Sequence, residues 1–234
     1  MDVKALCFDI FGTVVDWRSS LIREGQALAS QQGLQGADWA ALADDWRAGY
    51  PSAMQEVRSG ALPWTDIDGL HRRILDRLLA ARKLQLPDEV VADFNRAWHR
   101  LRPWPDSVAG LLRLKSRFTI ASLSNGNMAL LINMAKNAGL PWDAVLSAEL
   151  FHHYKPDPEV YLGAARLLGL APAQVMMVAA HPSDLRAATS CGLRTAYVAR
   201  PLERGEGGPM EAWSEGEFDL AVEDFGALAL QLGV

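Results

Sequence analysis

Four short stretches of the 234-residue chain carry side chains that could do chemistry. In "CFDIFGTVVDW" an apolar run stops at Asp9 and turns through Gly12 and Thr13, with Phe11 between. "LSNG" offers the Ser124 hydroxyl, the Asn125 amide and a glycine that lets the backbone close in. "HHYKPDPEVY" carries Lys155 just before a helix that Pro156 and Asp157 begin, and "VAAHPSDLRAA" carries His181 and then Asp184 in a first helical turn. A carboxylate at the end of a buried strand either accepts hydrogen bonds from the next turn or serves as a partly desolvated nucleophile. An inward-pointing lysine would keep such a carboxylate ionised and orient an incoming anion; an outward one is a solvated charge. Asp184 suits a helix N-terminus on dipole grounds alone. His181 is either a structural hydrogen-bonder or a titrating group.

The elements that must position these groups read from periodicity. Short apolar runs occur at 3–9, 118–125, 144–150, 175–180, 195–200 and 218–224. Helical stretches lie between them at 127–138, 157–168 and 183–191, the last opening at Ser183, and each is followed by a glycine (Gly139, Gly169, Gly192). Near-continuous apolar strands alternating with helices predict a parallel sheet covered on both faces, an α/β fold. Residues 17–100 instead show helical spacing, as in Leu70, Ile74, Leu75, Leu78 and Leu79, with no strand-like run. The chain is therefore expected to divide into a catalytic core, 1–16 with 101–234, and a helical insert, 17–100. "RPWPD" (102–106) predicts a stiff return hinge, and the Gly- and Glu-rich 201–217 a mobile loop. Ligands of open parallel sheets bind beyond the C-terminal strand ends. All four stretches fall there.

Composition narrows the class. Half the residues are hydrophobic and 22% charged, as in ordinary globular proteins, and the net charge of −5 supplies no basic field for nucleic acid or anionic lipid. No apolar stretch approaches a membrane span, and "MDVKALCFDI" does not read as a signal peptide. Two cysteines, Cys7 and Cys191, make no metal framework and suit reduced thiols, so a cytoplasmic location is expected.

Asp9 with Thr13, then Ser124, Lys155 and Asp184, resembles the four motifs of the haloacid dehalogenase superfamily. "FGTVVDW", "SNG" and "YKPDPEVY" are similar to its L-2-haloacid dehalogenase branch. The resemblance implies a Rossmann-like parallel-sheet core and an inserted all-helical cap domain. It also implies that Arg47, in the Trp-Arg segment "DDWRAGY", reaches over the nucleophile. Tyr50, three residues on, is expected on the same helical side, lining a halide pocket. Self-association is common in the branch, so a homodimer is compatible with the resemblance.

Most of the superfamily are magnesium phosphatases, which carry a second Asp two residues after the nucleophile. Here that position is Phe11, which neither donates a proton nor ligates a metal, and "AAHPSD" adds only Asp184 to the oxygen ligands magnesium wants. A metal-free, cofactor-free displacement of halide from an sp³ carbon fits better, because halide leaves without a proton. The expected substrate is a small anionic 2-halocarboxylate, with water. Asp9 would form an ester, Arg47 and Asn125 would stabilise the departing halide, and Ser124 would hold the substrate carboxylate. Lys155 would keep Asp9 charged, and Asp184, with His181, would activate the hydrolytic water. Tyr161 would brace Lys155 or Asp184. Phe11, Thr13, Tyr50, Tyr161 and His181 are the expected substrate-binding side chains. Where the branch commonly reads Ser-Ser-Asn, this chain has Ala179, Ala180 and His181, which predicts activity falling as the imidazole protonates in mild acid. Trp17, Trp39, Trp46 and Trp64 suggest helix packing or an aromatic lid favouring small substrates. The alternatives are a magnesium phosphatase of the same superfamily and a binding module without catalysis.

Overall fold

The computed structural model describes residues 1–234. The chain opens with β1 (Ala5–Phe8) and the short β2 (Val15–Asp16), then runs through helices α1 (Trp17–Gln32), α2 (Trp39–Ala48), α3 (Tyr50–Arg58), α4 (Ile67–Ala81) and α5 (Asp88–Asn95). A 3₁₀ turn over Arg96–Arg100 leads to β3 (Arg102–Pro103) and α6 (Ser107–Lys115). Strand and helix then alternate: β4 (Thr119–Ser124), α7 (Met128–Ala138), β5 (Ala144–Ser147), α8 (Pro158–Leu167), β6 (Val175–Ala179) and α9 (Pro182–Ser190). The chain ends with β7 (Arg194–Val198), β8 (Leu220–Val222) and α10 (Phe225–Gln231).

Six strands make one parallel sheet in the order β5-β4-β1-β6-β7-β8. The chain builds outward from β1 on one side, then crosses to build the other, so the order reverses at β1. That reversal splays the connections apart and opens a crevice at the C-terminal strand ends. The central strands are buried on both faces, which is why they read as unbroken apolar runs. One face packs into a large core that continues through the helical insert, via Phe8, Ile10, Phe11, Trp17, Trp46 and Trp98. The opposite face packs Cys7, Leu123 and Met177 against Val160, Tyr161 and Leu185 of α8 and α9. Cys7 and Cys191 are free thiols.

The insert is made by local signals. Asp16, Asp38 and Asp66 cap α1, α2 and α4 by accepting from Ser19, Ala41 and Gly69 backbone N–H groups. Between "FGTVVDW" and "RPWPD", β2 and β3 pair antiparallel, Val15 opposite Pro103, so a two-strand ribbon draws the insert's ends together where a hinge is expected. Helix α9 begins at Pro182 rather than Ser183, because proline's fixed φ suits a first helical position, and His181 becomes the flanking residue. The 201–217 loop has no regular element and is mostly exposed, with a few side chains anchored to the rest of the chain. Trp213 lies 4.6 Å from the Tyr197 ring, Glu211 accepts from Ser183, and Glu203 is buried.

Candidate active site

Asp9 stands just past β1, its backbone N–H donated to Val178 of β6, which fixes the side chain at the crevice floor. It is 7% exposed and surrounded by donors. Lys155 Nζ lies 2.9 Å from Oδ1, while the Thr13 hydroxyl donates to Oδ2 at 2.8 Å and His181 Nδ1 lies 3.1 Å from Oδ2. Burial works to raise the Asp9 pKa, but Lys155 and His181 outweigh it and hold the carboxyl ionised, well below the usual range.

Lys155 follows β5 and is held by its own backbone: its N–H donates to Asn125 Oδ1 at 2.6 Å, and Asn125 Nδ2 returns a bond to the Lys155 carbonyl at 3.3 Å. Its ammonium bridges Asp9 and Asp184, reaching Asp184 Oδ2 at 2.5 Å. Burial works to lower the lysine pKa, but the two carboxylates outweigh it and raise it. The other Asp184 oxygen accepts from the buried Tyr161 hydroxyl at 2.5 Å. The Asp184 pKa is raised, first by burial and then by the charge on Asp9, with Lys155 and Tyr161 opposing. Ser124, the last residue of β4, is fully buried and accepts from Gly126 N–H at 3.1 Å.

A cleft of about 310 Å³ unites most of the expected residues: Asp9, Phe11, Arg47, Tyr50, Ser124, Asn125, Lys155, Tyr161, His181 and Asp184 all line it, with Met54. Arg47 and Tyr50 come from different helices, correcting the expectation of one helical face. Gly49 ends α2 and α3 begins at Tyr50, yet the Arg47 guanidinium lies 4.7 Å above the Tyr50 ring.

Thr13 is the one expected site residue that does not line the cleft. It is fully buried; its hydroxyl bonds Asp9 and accepts the Ala180 N–H at 2.9 Å, so it orients the carboxylate from behind. The tryptophans do not line the cleft either. Trp98 packs edge-on against Phe11 at 5.5 Å, and Trp46 and Trp17 lie around Trp98, so they back the lining residues. Trp64 stacks on Tyr154, and Trp39 packs on Phe94.

His181 is the main correction to electrostatic expectation. Its Nε2 faces both Glu203 oxygens at 3.1 Å, and its Nδ1 faces Asp9. With a carboxylate at each nitrogen, both nitrogens donate and the ring is an imidazolium. Burial would lower its pKa, but Asp9 and Glu203 raise it to about 10. That shift favours the protonated ring at neutrality, against the expectation that the imidazole gains its proton only in mild acid. Glu203 was not found from sequence. The signal was a fifth strand end, "VARPLER" after β7, obscured by the Gly/Glu-rich run behind it. Glu203 also accepts from Trp17 Nε1 at 2.9 Å, linking the loop to the insert.

The superfamily's magnesium ion does not fit these residues. The Lys155 ammonium fills the point where Asp9 and Asp184 oxygens converge, Phe11 offers no oxygen, and no three His, Cys, Asp or Glu side chains group as ligands.

Comparison with known proteins agrees with this geometry. The family model of haloacid dehalogenase-like hydrolases matches residues 3–192. The crystal structure of an L-2-haloacid dehalogenase superposes with a TM-score of 0.93 at 49% identity, covering 98% of both chains. That of a defluorinating L-2-haloacid dehalogenase gives 0.95 at 42% identity, covering 99% of this chain and 96% of the other. The L-2-haloacid dehalogenase of Xanthobacter autotrophicus, solved with chloropropionic acid covalently bound, gives 0.82 at 26% identity over 98% of both chains.

Proposed function

Because the chain belongs to the haloacid dehalogenase-like hydrolases, we propose that it hydrolyses small 2-halocarboxylates to 2-hydroxycarboxylates and halide, through an ester on Asp9 and without a metal. The observation that carries this reading is the Lys155 ammonium bridging Asp9 and Asp184 in the cleft that Phe11 also lines. A lysine there keeps the nucleophile ionised, and a leaving halide needs no acid at position 11. The covalently bound chloropropionate of the X. autotrophicus relative supports the ester route.

In the proposed reaction, Asp9 attacks the α-carbon opposite the halogen, forming a C–O bond as the C–X bond breaks. Arg47 and Asn125 donate to the halide as its charge grows, the more effectively the more water the bound substrate displaces from the cleft. Ser124 orients the substrate carboxylate. Asp184, its pKa raised by burial, takes a proton from the water that attacks the ester carbonyl. The cleft volume, near the small end of ligand sites, suits haloacetates and 2-halopropionates. The pairing of the cysteines' reduced state with this chemistry suits a cytoplasmic enzyme.

Halide release from chloroacetate, fluoroacetate and L-2-chloropropionate in excess EDTA, beside Asp9→Asn, tests the proposal. Turnover that survives EDTA and vanishes in Asp9→Asn is expected. No halide release, together with magnesium-dependent hydrolysis of a phosphate ester, would replace this reading with the phosphatase one.

A further inference from the structure

The two oxygens of Asp9 are not equivalent, and the difference bears on the second half of the dehalogenase reaction, on which this inference rests. Oδ2 accepts from Thr13 at 2.8 Å and faces His181 Nδ1 at 3.1 Å. Oδ1 faces only the Lys155 ammonium, at 2.9 Å. The oxygen with fewer donors keeps the more available lone pair. Oδ1 is then the atom that attacks carbon, and Oδ2 becomes the carbonyl oxygen of the ester. When water adds to Cγ, negative charge develops on Oδ2, where two donors already stand. Fixed donors aimed at developing charge are among the largest contributions an enzyme makes.

His181 is held for that task by a residue outside the four motifs. Both Glu203 oxygens lie 3.1 Å from Nε2, and the carboxylate is anchored in turn by the Trp17 indole N–H at 2.9 Å. Glu203 is only 8% exposed, which leaves it little room to swing away. The backbone of Gly12 passes so close beneath that a Cβ there would meet Oε1 at 2.3 Å. Other charged groups surround the pair without displacing it. Lys155 sits on the far side of Asp9 and bridges to Asp184, Arg47 helps keep Glu203 ionised, and Arg204 and Glu211 line the clefts on either side of the ring.

We propose that Glu203 is a positioning residue for ester hydrolysis: it fixes His181 as an imidazolium whose Nδ1–H, with the Thr13 hydroxyl, forms the oxyanion site for Asp9 Oδ2. Water gives a proton to Asp184 as its oxygen bonds to Cγ, and the carbonyl π pair moves onto Oδ2. That pair returns as the Cγ–Oδ1 bond breaks. The departing alkoxide carries Oδ1 and takes a proton from Lys155 Nζ, which touches both Oδ1 and Asp184 Oδ2 and is recharged by Asp184. Asp9 is left as a carboxylic acid bearing the solvent oxygen and loses its proton to solvent. His181 keeps its own proton throughout.

Single-turnover reactions of the full-length wild type, Glu203→Gln and His181→Gln with L-2-chloropropionate, followed by rapid quench, halide assay and intact mass, test this. In Glu203→Gln a halide burst stoichiometric with enzyme is expected, with ester hydrolysis slowed about a hundredfold. The Asp9 peptide should then carry the mass of an ester that the wild type does not accumulate. The alkaline limb of hydrolysis should also move toward neutral pH, because His181 loses a partner that raises its pKa. In His181→Gln the ester should accumulate with that limb absent. Equal slowing of halide release and hydrolysis, or no accumulated ester, would overturn the assignment. If Glu203→Gln fails to fold by circular dichroism, Glu203→Asp and His181→Gln carry the same comparison. A wild type that releases no halide removes the dehalogenase reading itself, whereas wild-type turnover with ester-free variants removes only this assignment.

Discussion

The Tyr161 hydroxyl donates to Oδ1 of Asp184 at 2.5 Å from a ring with no exposed surface. With Lys155 on Oδ2, both oxygens of the proposed base are tethered, so its orientation is set by two elements, α8 and the segment after β5. Tyr161→Phe removes a donor that favours the charged carboxylate. It also frees one of the two oxygens that aim the base at water, and misplacing a catalytic group can cost about a hundredfold, so ester hydrolysis should slow roughly 10- to 100-fold. The acid limb of the kcat profile should move to higher pH, because Asp184 loses an interaction that lowers its pKa. Rapid-quench kinetics across pH would detect both; an unmoved acid limb would detach Asp184 from that limb.

Lys155 is 8% exposed and neutralises two carboxylates that are otherwise buried together. Lys155→Met leaves Asp184 without a cation and Asp9 with His181 alone, and breaking such a buried pair costs about 3–5 kcal/mol. Urea unfolding at neutral pH should show that loss. Much of it should be recovered in mild acid, where one of the carboxyls takes up a proton. Equal stability of variant and wild type at both pH values would contradict the buried arrangement.

The pH dependence of wild-type stability has a definite sign. His181 titrates at about 10 in the folded protein against 6.5 ordinarily, so its stabilisation is complete below pH 6.5 and fades as pH rises toward 10. Asp9 and Glu203 are held low, so their contributions are present above the usual carboxylate range and fade in acid. Thermal unfolding should therefore show a plateau in mild acid, above the usual carboxylate range and below about pH 6.5, with a fall from there toward pH 10. His181→Asn should flatten that alkaline fall. A wild-type curve level from neutrality to pH 10 would remove the imidazolium.

Gly12 has φ +88°, a conformation that costs an L-residue about 1–2 kcal/mol, and it supports Glu203 from below. Gly12→Ala should lose at least that much stability and also push Glu203 off His181. The alkaline limb of ester hydrolysis should then shift toward neutral pH, as for Glu203→Gln. Destabilisation with an unchanged limb would separate the backbone effect from the carboxylate.

Much of this was legible in sequence because it is written in local terms. The sheet strands show as apolar runs, and Asp9, Ser124, Lys155 and Asp184 each sit at or just beyond the end of one. The helical insert shows as leucines at helical spacing, as in Leu70, Ile74 and Leu75. What stayed hidden depends on pairs distant along the chain. Nothing local to "HPSD" says that a carboxylate 22 residues later closes on the imidazole, and that contact reverses the expected titration of His181. Thr13 read as a pocket residue because strand-end motifs show proximity but not which way a hydroxyl points. Tyr50 was assigned to the helix of Arg47 because a single glycine between good helix formers is a weak break on paper. In the fold, Gly49 packs against Ile74 at a distance no side chain could share.

One contact ties a wall of the cleft to the catalytic lysine. Arg58, at the end of α3, donates through Nη2 to the carbonyls of Tyr154 and Lys155 at 3.1 and 2.9 Å, and through Nε to Asp157. Helix α3 also carries Tyr50 and Met54, which wall the cleft. The residue whose ammonium holds both carboxylates is thus fastened through its own carbonyl to the helix that walls the cleft. A substitution at Arg58, which does not itself line the cleft, therefore bears on the lysine inside it.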